Sequence, residues 1–358
     1  HRADMLARLA AGRRGIAIAR TSGKTTVTGM TGWVLERLGL DPAVVNGGAV
    51  LDWTGPARLG SVRNGASDWF VYEADESDRS FLRFTPDHAI LTNISQDHFT
   101  LDEAVALFRE FAARVRGTLV AGPGVAEILG PDFAGRVETP VASVPPHVTP
   151  SGVGFEFEGV RFDLPAIGVH NGWNALVVAG LARSLGLDLP AVARAFRSFH
   201  GIHRRLEIAG EARGVLVIDD YAHNPAKMRA AWEAAATRAR SVVGVWRPHG
   251  FGPLKLMMDD LAANLSQAMR PADRLLLLPV FYAGGTAGGS VNSDELARRL
   301  QALGRTAAVA PDYAALETLV LPHLVPASAL LVMGARDPDL PLFARHIATR
   351  LAAGAPHA

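Results

Sequence analysis

One short segment combines the residue types that bind a polyphosphate. Residues 21–26 read Thr-Ser-Gly-Lys-Thr-Thr and lie between an apolar run at residues 16–19 and a helical pattern that begins at Lys24. Backbone N–H groups at a helix start attract phosphate, a lysine there can bridge the β and γ phosphates, and a threonine hydroxyl can ligate Mg²⁺. The flanking strand and helix favour nucleotide binding over the alternative, which is a helix start with capping threonines and a solvated lysine.

A second group of candidate residues is an acidic run after an apolar segment. Residues 69–72 are predicted to form a strand, and they lead into Glu73, Asp75, Glu76 and Asp78. Carboxylates concentrated at a strand end are costly unless water or a cation receives them. Because Mg²⁺ prefers oxygen ligands, Glu73 is the best candidate metal ligand. The other three residues also fit the first turn of a helix, where carboxylates suit the dipole.

A histidine follows the next predicted strand. Residues 89–92 form that strand, and Asp97 and His98 come shortly after it. Ligands bind to open α/β sheets at the carboxyl ends of the strands. We therefore expect His98 at the same edge as residues 21–26, where it is a second candidate metal ligand. A lone histidine would more commonly cap an element or pack in a core.

The elements that must position these residues alternate along most of the chain. Short apolar runs followed by amphipathic helical patterns are typical of a parallel sheet with crossover helices. One such helix is predicted from an N-cap at Asp102 to about residue 116. Residues 152–168 alternate with period two, which predicts an antiparallel hairpin. Residues 122–150 are rich in Gly and Pro and are predicted to be a loop-rich connection.

The second part of the chain predicts a smaller domain of its own. Five strand candidates, mostly separated by helical patterns, lie at residues 215–218, 242–246, 274–279, 307–309 and 329–333. The predicted fold class is α/β. A P-loop-type ATPase domain (residues 1–202) would have a mainly parallel sheet and a small antiparallel element, and a doubly wound, Rossmann-like domain (residues 203–358) would follow.

Composition narrows the functional classes. The chain has 358 residues, room for two or three domains, and 49% of them are hydrophobic, which is enough for sizeable cores. A formal net charge of +1 gives no sign of a nucleic-acid or membrane surface. Since the chain has no cysteine, disulfides, thiolate metal sites and cysteine nucleophiles are excluded. We expect a cytoplasmic monomer or homodimer that binds neither nucleic acid nor membrane.

Taken together, these segments resemble the Mur ligase family. Each match is modest, but they occur in family order over nearly the whole chain. The matching segments are residues 2–6, 21–26, 73–78, 80–82, 92–94, 97–98, 170–171, 174–175, 204–205 and 219–225, with weaker matches at 248–249 and 334–335.

The resemblance implies an ATP-dependent ligase that joins a small-molecule carboxylate to an amine through an acyl phosphate, with ATP and Mg²⁺. In cell-wall peptidoglycan biosynthesis this would be ligation of UDP-N-acetylmuramate to an amino acid or peptide. The family's N-terminal UDP-binding domain would precede His1. Either it lies in residues upstream of this sequence, or the chain is a specialised two-domain ligase whose substrate carries no UDP.

The resemblance also implies residue roles. The catalytic residues would be Lys24, Glu73, His98, Arg205 and His223. The nucleotide-binding residues would be Thr21, Ser22, Gly23, Lys24, Thr25, Thr26, Asn171, Asn174, Arg205 and Asp220. The metal ligands would be Thr25, Glu73 and His98. By themselves, the two asparagines would more often be helix caps, Arg205 a surface ion-pair partner and His223 a turn residue. Within the family, the asparagines face adenine, Arg205 the γ-phosphate and His223 the amine.

Three positions depart from the family pattern. Arg20 stands where the related ligases have a glycine, so it would either add a phosphate contact or distort the loop. No lysine occurs between Lys24 and Lys227, which removes the carbamylated lysine that some relatives use to bridge metals. Residues 247–253 read Arg-Pro-His-Gly-Phe-Gly-Pro and lack the arginine after Pro-His that alanine-adding enzymes usually have. Their glycines predict a flexible or close-packed loop.

Two other classes compete with the ligase. The first is a nucleotide-binding partner or regulatory subunit that has lost ligation, an alternative favoured by Arg20 and by the missing domain. The second is a P-loop kinase, which would transfer phosphate to a stable product without an amine. A kinase does not explain the second doubly wound domain.

Overall fold

The computed structural model describes residues 2–20, 23–94, 99–130, 136–281 and 291–354. The chain forms two compact units, His1–Ile202 and His203–Ala358. Among the described helices, none combines the length and the apolar composition that a membrane crossing requires.

The first unit contains twelve strands and six α-helices among its described residues. The strands are β1 (Arg14–Ala19), β2 (Ala43–Val45), β3 (Thr54–Gly55), β4 (Arg58–Leu59), β5 (Val62–Arg63), β6 (Trp69–Glu73), β7 (His88–Leu91), β8 (Thr118–Ala121), β9 (Arg136–Glu138), β10 (Val144–Thr149), β11 (Gly152–Phe157) and β12 (Val160–Leu164). The helices are α1 (Arg2–Ala10), α2 (Lys24–Arg37), α3 (Leu101–Ala112), α4 (Val125–Leu129), α5 (Val169–Ser184) and α6 (Leu189–Arg197).

Seven strands of the first unit form one sheet in the order β5-β2-β6-β1-β7-β8-β9. All neighbours are parallel except β2 and β5. Strand β1 lies between β6 and β7, with Ile18 opposite Glu73 and Ala19 opposite Leu91. The carboxyl ends of these three strands therefore lie side by side, as the sequence predicted.

Helix α2 follows β1 and is buried over most of its length because the apolar side chains Val27, Met30 and Val34 join the core. Two glycines let it approach its neighbours closely. A Cβ atom on Gly29 would lie 2.5 Å from Cδ1 of Ile202. Helix α2, which begins at Lys24, is thus held in place by packing on several sides.

The N-cap predicted for α3 is wrong. The cap is Thr100 rather than Asp102, and α3 ends at Ala112. The Thr100 hydroxyl accepts the N–H of Glu103 while the Glu103 carboxylate accepts the N–H of Thr100, which makes a capping box. This reciprocal pair satisfies two donors, whereas Asp102 in the first turn only complements the helix dipole.

A small antiparallel sheet, β10-β11-β12, completes the first unit. The predicted hairpin is confirmed, with Glu158 and Gly159 both at positive φ in its turn. The prediction of a loop-rich connection at residues 122–150 is wrong, because α4, β9 and β10 lie there. Strand β10 is an edge strand that contains Pro145 and Pro146 and is mostly exposed, so it lacks the apolar alternation that identifies a strand.

The second unit is a six-stranded sheet with helices packed against it. Its strands are β13 (Glu207–Ala212), β14 (Val215–Asp220), β15 (Ser241–Trp246), β16 (Arg274–Leu277), β17 (Thr306–Val309) and β18 (Ser328–Met333). Its α-helices are α7 (Pro225–Ala236), α8 (Phe251–Ala268), α9 (Ser293–Ala302), α10 (Tyr313–Val320) and α11 (Asp339–Ala353). The order is β13-β14-β18-β15-β16-β17, and only β13 runs antiparallel to its neighbour. The predicted fold class is confirmed.

Candidate nucleotide and metal site

Buried polar atoms without partners concentrate at one edge of the seven-stranded sheet. Five of them follow the carboxyl ends of four adjacent strands, β2, β6, β1 and β7. They are Nδ2 of Asn46, Oε1 of Glu76, Nε of Arg20, Oγ1 of Thr92 and Oδ1 of Asn93, and none has a hydrogen-bond partner among the residues that the structure describes. Most buried polar groups in proteins are paired, so this edge has the composition of a binding site for a polar ligand.

The start of α2 lies at the centre of this edge. Gly23 has φ of 93°, a left-handed conformation that side chains disfavour, and Lys24 opens the helix. Thr25 is buried and Thr26 is half-buried in the first turn. The first N–H groups of a helix have no acceptor within it, so this turn presents donors that suit phosphate. The other predicted site residues of this edge, Thr21, Ser22 and His98, lie outside the described residues.

The ammonium group of Lys24 is held by three acceptors. Its Nζ lies 2.5 Å from Oε2 of Glu76, 3.3 Å from Oδ1 of Asp75 and 3.1 Å from the carbonyl oxygen of Arg20. Burial raises the pKa of the Glu76 carboxyl, although Lys24 opposes the shift. Burial also acts to raise the pKa of Asp75, but Lys24 and the Ser77 N–H outweigh it and lower the value. The acidic run thus positions a lysine, a role that its sequence alone did not indicate.

Glu73, the predicted metal ligand, ends β6 at the same edge. Its Oε1 accepts the N–H of Gly47 at 2.7 Å. A Cβ on Gly47 would lie 2.8 Å from both carboxylate oxygens, so a glycine there permits this close approach. A cavity of about 110 Å³ lies beside the carboxylate, lined by Ala3, Leu6, Gly47, Glu73, Asp75, Asp78, Ser80 and Phe84.

The chemistry of this cavity fits a magnesium ion, because three carboxylates line it and Mg²⁺ is usually bound through one or two carboxylates plus phosphates and water. Asp78 is partly committed elsewhere. Its Oδ1 accepts the N–H of Ser80 at 2.9 Å, and the Ser80 hydrogen bonds lower the pKa of Asp78. This contact agrees with the turn role that the sequence left open for Asp78 and leaves Glu73 as the principal candidate ligand.

The two asparagines of α5 are connected to the same edge. Oδ1 of Asn174 accepts a hydrogen bond from Nη1 of Arg20 at 2.7 Å. Nδ2 of Asn174 donates to Oδ1 of Asn171 at 3.2 Å, and Nδ2 of Asn171 donates to the carbonyl oxygen of Ile167 at 2.8 Å. The helix-cap alternative is wrong for both residues, because the N-cap of α5 is Gly168.

In the second unit, the predicted residues lie just before β13 and at the end of β14. Asp220 is buried, and its two carboxylate oxygens accept the N–H groups of Leu206 and Ala222, each at 2.7 Å. Burial raises the pKa of Asp220. Arg205 is exposed, and its guanidinium lies 5.2 Å from the ring centroid of Tyr221. Its neighbour Arg204 is buried and bonded to backbone carbonyls, so only Arg205 of the pair presents its charge to solvent.

His223 has the properties of a neutral imidazole. Its Nδ1 lies 2.9 Å from the carbonyl oxygen of Tyr221 and therefore carries the proton. Burial lowers the pKa of His223. The ring lies 5.5 Å from that of His249. With Nδ1 protonated, Nε2 of His223 is an acceptor that can take a proton from a substrate.

One network at the carboxyl edge of the second sheet was not predicted from the sequence. Oδ2 of the buried Asp337 lies 2.6 Å from both Nη1 of Arg247 and the hydroxyl of Tyr313, and its Oδ1 accepts the N–H of Asp339. Burial acts to raise the pKa of Asp337, but its three donors together lower it. No sequence signal links Arg247 to Asp337, because 90 positions separate them.

The loop predicted at residues 247–253 is shorter than expected. Gly250, at φ of 76°, caps α8, and Phe251, Gly252 and Pro253 form the first turn of that helix. The glycine content therefore marks a helix start rather than a flexible loop over the whole segment. Pro253 near the start of α8 fits the first turn, where a missing N–H costs nothing.

Comparison with known sequences identifies both units. A family model described as the Mur ligase middle domain matches residues 18–104, and one described as the Mur ligase, glutamate ligase domain matches residues 204–336. The UDP-N-acetylmuramate–L-alanine ligase of Acaryochloris marina is 33% identical over 376 residues, which covers 95% of this chain and 75% of the relative. The ligase of the same name from Anaeromyxobacter dehalogenans is 35% identical over 358 residues, with 94% and 76% covered.

A solved structure extends the similarity to the fold. The UDP-N-acetylmuramate-alanine ligase of Thermotoga maritima matches with a TM-score of 0.74 and 26% sequence identity, over 97% of this chain and 77% of that chain. All three relatives are named as ligases. The comparisons therefore give no support to the alternative of a partner subunit that has lost ligation.

Proposed function

This chain belongs to the Mur ligase family, and from that premise we propose that it uses ATP to join a carboxylate to an amine through an acyl phosphate. The observation that carries the proposal is the row of unpartnered polar atoms beside Lys24 and Glu73, at the carboxyl ends of β2, β6, β1 and β7. A nucleoside triphosphate with Mg²⁺ would supply these atoms with partners.

Two balanced steps make up the reaction. A carboxylate oxygen of the first substrate attacks the γ-phosphorus of ATP, the bond from that phosphorus to the β–γ bridging oxygen breaks, and ADP leaves. The nitrogen of the amine then attacks the carbonyl carbon of the acyl phosphate, inorganic phosphate leaves with one oxygen of the original carboxylate, and an amide forms. Enzymes of phosphoryl transfer act largely by positioning and by stabilising charge.

Residues of the first unit would hold the phosphates and the metal. Lys24 donates to the phosphates from the start of α2, where Gly23, Thr25 and Thr26 also lie. Thr25, Glu73 and His98 would hold Mg²⁺, which when bound offsets negative charge on the phosphates. Lys24 is held by Glu76 and Asp75 in the structure, so its ammonium group is already directed toward this edge.

Residues elsewhere would complete the recognition of substrates. Asn171 and Asn174 would contact the adenine, and Arg205 would contact the γ-phosphate. Asp220 would orient the backbone around the substrate, because its two oxygens already accept the N–H groups of Leu206, before β13, and of Ala222, after β14. His223, neutral because burial lowers its pKa, would take the proton that the amine loses.

UDP-N-acetylmuramate is the carboxylate to test first, because the similar ligases are named for it. The amine should be tested as a panel, with L-alanine and other amino acids and short peptides. Gly250, the cap of α8, follows His249, and the arginine that alanine-adding enzymes usually have after Pro-His is absent, which is the reason for testing amines other than L-alanine.

The experiment measures the transfer of oxygen from the carboxylate substrate to the released phosphate, in addition to ATP consumption. When the carboxylate is labelled with ¹⁸O, the acyl phosphate route transfers one ¹⁸O to the released phosphate. Hydroxylamine in place of the amine should trap the intermediate as a hydroxamate. A kinase would give ADP and a stable phosphorylated product without release of inorganic phosphate, and that result would exclude the ligase.

Lys24→Ala is the variant that tests the site. We expect it to abolish ADP and ATP binding and turnover, because the ammonium group is a principal cation for the phosphates. Lys255→Ala is the matched control, since Lys255 is exposed on α8. Nucleotide binding is measured by calorimetry and turnover by phosphate release. Normal turnover in Lys24→Ala would refute the assignment.

A further inference from the structure

Arg20 occupies an unusual place at the candidate site. It follows β1 directly, and its guanidinium lies over Gly23, the residue that precedes α2. A Cβ on Gly23 would lie 2.8 Å from Cζ, 2.9 Å from Nη1 and 3.0 Å from Nη2 of Arg20. A planar cation thus lies against the same helix start whose N–H groups suit phosphate.

The contacts of Arg20 are one-sided. Nη1 donates to Asn174, but the buried Nε has no partner in the described part of the chain. The acidic side chains closest to the loop, Glu76 and Asp75, are engaged by Lys24. Among the residues that the structure describes, no carboxylate lies within ion-pair distance of Arg20.

Arg20 is half-buried, and a buried donor such as its Nε is costly while it has no acceptor. Burial lowers the pKa of Arg20 to about 10, so the guanidinium is still charged at neutral pH. An anion that binds beside the guanidinium would supply the missing acceptor. A guanidinium presents five donors in a plane that matches phosphate oxygens, and it binds them with charge-assisted hydrogen bonds.

The contact with Asn174 gives Arg20 a second effect. Because a guanidinium only donates, it fixes the carbonyl oxygen of the Asn174 amide toward itself and the amide nitrogen toward Asn171. Arg20 thus adds one contact to a chain of hydrogen bonds in which Asn171 is also held by the carbonyl oxygen of Ile167. A glycine at position 20 would remove that contact and leave the carbonyl oxygen of Asn174 without its donor.

We propose that Arg20 is a nucleotide-binding residue, which donates to the phosphates of a nucleoside di- or triphosphate while Nη1 holds Asn174 in position. This inference rests on the proposed function, because it concerns the same nucleotide. It assigns to this chain a second phosphate-binding cation beside Lys24.

The test measures binding of ADP with Mg²⁺ by calorimetry, without any acceptor substrate. The variants are Arg20→Gln, Arg20→Lys, Lys24→Ala and the control Lys255→Ala. We expect Arg20→Gln to weaken ADP binding about tenfold to a hundredfold, in line with the loss of charged hydrogen bonds, and Arg20→Lys to retain an intermediate affinity. The thermal unfolding temperature without nucleotide should be unchanged or raised in Arg20→Gln, because the buried Nε donor that has no partner is removed.

Two results would overturn the inference. If Arg20→Gln binds ADP as well as or better than the wild type, the guanidinium obstructs the loop. If Arg20→Lys binds ADP no better than Arg20→Gln, the positive charge at position 20 does not contribute to nucleotide binding. In both cases Lys24→Ala would still lose ADP. Normal ADP binding by Lys24→Ala would instead contradict the proposed function itself.

Discussion

Two clusters of charged residues, one at the carboxyl edge of each sheet, differ in how their buried polar atoms are paired. At the edge of the first sheet, Arg20 and Glu76 each keep a buried polar atom without a partner in the described chain. At the edge of the second sheet, Asp337 is saturated by Arg247, Tyr313 and a backbone N–H. The first arrangement is costly until a ligand binds, whereas the second stabilises the fold by itself.

This difference separates residues that serve binding from residues that serve stability. Substitutions at the first edge should change affinity for nucleotide or metal with little loss of stability. Substitutions in the Asp337 network should do the reverse. Both edges consist of charged residues after parallel strands, so the contrast lies in the hydrogen bonds rather than in composition.

The largest expected effect concerns the saturated edge. Asp337→Asn should lower the free energy of unfolding by about 3 kcal/mol, because it leaves the partly buried Arg247 without its counter-charge. Denaturant unfolding measures the change. Asp260→Asn, an exposed change on α8, is the matched control. A loss no larger than that of the control would remove the contrast between the two edges.

The pH dependence of the free energy of unfolding, measured for the wild type and for Asp337→Asn, gives a second test of the same contact. The pKa of Asp337 lies below its ordinary value of 3.8 in the folded protein. Its contribution to stability is therefore present above pH 3.8 and is lost as the pH falls through the lower folded value. The difference between wild type and Asp337→Asn should be constant from pH 7 to 5 and should shrink below about pH 4.

At the edge of the first sheet, Glu73→Gln should weaken magnesium binding and leave the free energy of unfolding nearly unchanged. Loss of a carboxylate ligand should raise the Mg²⁺ concentration needed for half-maximal ADP binding by at least about tenfold, by analogy with the cost of perturbing metal-site partners. A magnesium titration measures it, with the exposed Glu127→Gln as control. A strong loss of stability without a change in magnesium dependence would place Glu73 in the same class as Asp337.

Gly47→Ala should also raise the magnesium requirement for ADP binding, but by less than Glu73→Gln. Its Cβ would approach both oxygens of Glu73 to 2.8 Å, and the flexible carboxylate can move away without disturbing the backbone. We expect a rise of a few fold in the magnesium requirement and nearly unchanged unfolding. The same titration measures it, and an unchanged magnesium requirement would mean that the position of the Glu73 carboxylate is unimportant.

Local patterns predicted much of the fold from sequence. The apolar run before Lys24, the strand that ends at Glu73 and the hairpin at Glu158 and Gly159 all have clear periodicity. Strand β10 was missed because its prolines and exposed residues erase the alternation. The cap of α3 was misassigned by two residues because Thr100 competes with Asp102 through a reciprocal pair.

The candidate site was harder to predict than the fold. Sequence identified Lys24 and Glu73 by type and by their place after strands. It did not show that Glu76 holds Lys24, because these side chains are 52 positions apart. It also left two outcomes open for Arg20, whose side chain is fixed by an asparagine 154 positions away. Contacts of this range follow from tertiary packing rather than from local pattern.

The central position of β1 has a consequence for engineering. Backbone hydrogen bonds to β6 on one side and to β7 on the other hold Ile18 opposite Glu73 and Ala19 opposite Leu91 whatever side chain follows. Position 20 can therefore be randomised in a library of variants without displacing the strand that carries Glu73. The scaffold would allow selection for altered nucleotide preference at a single codon.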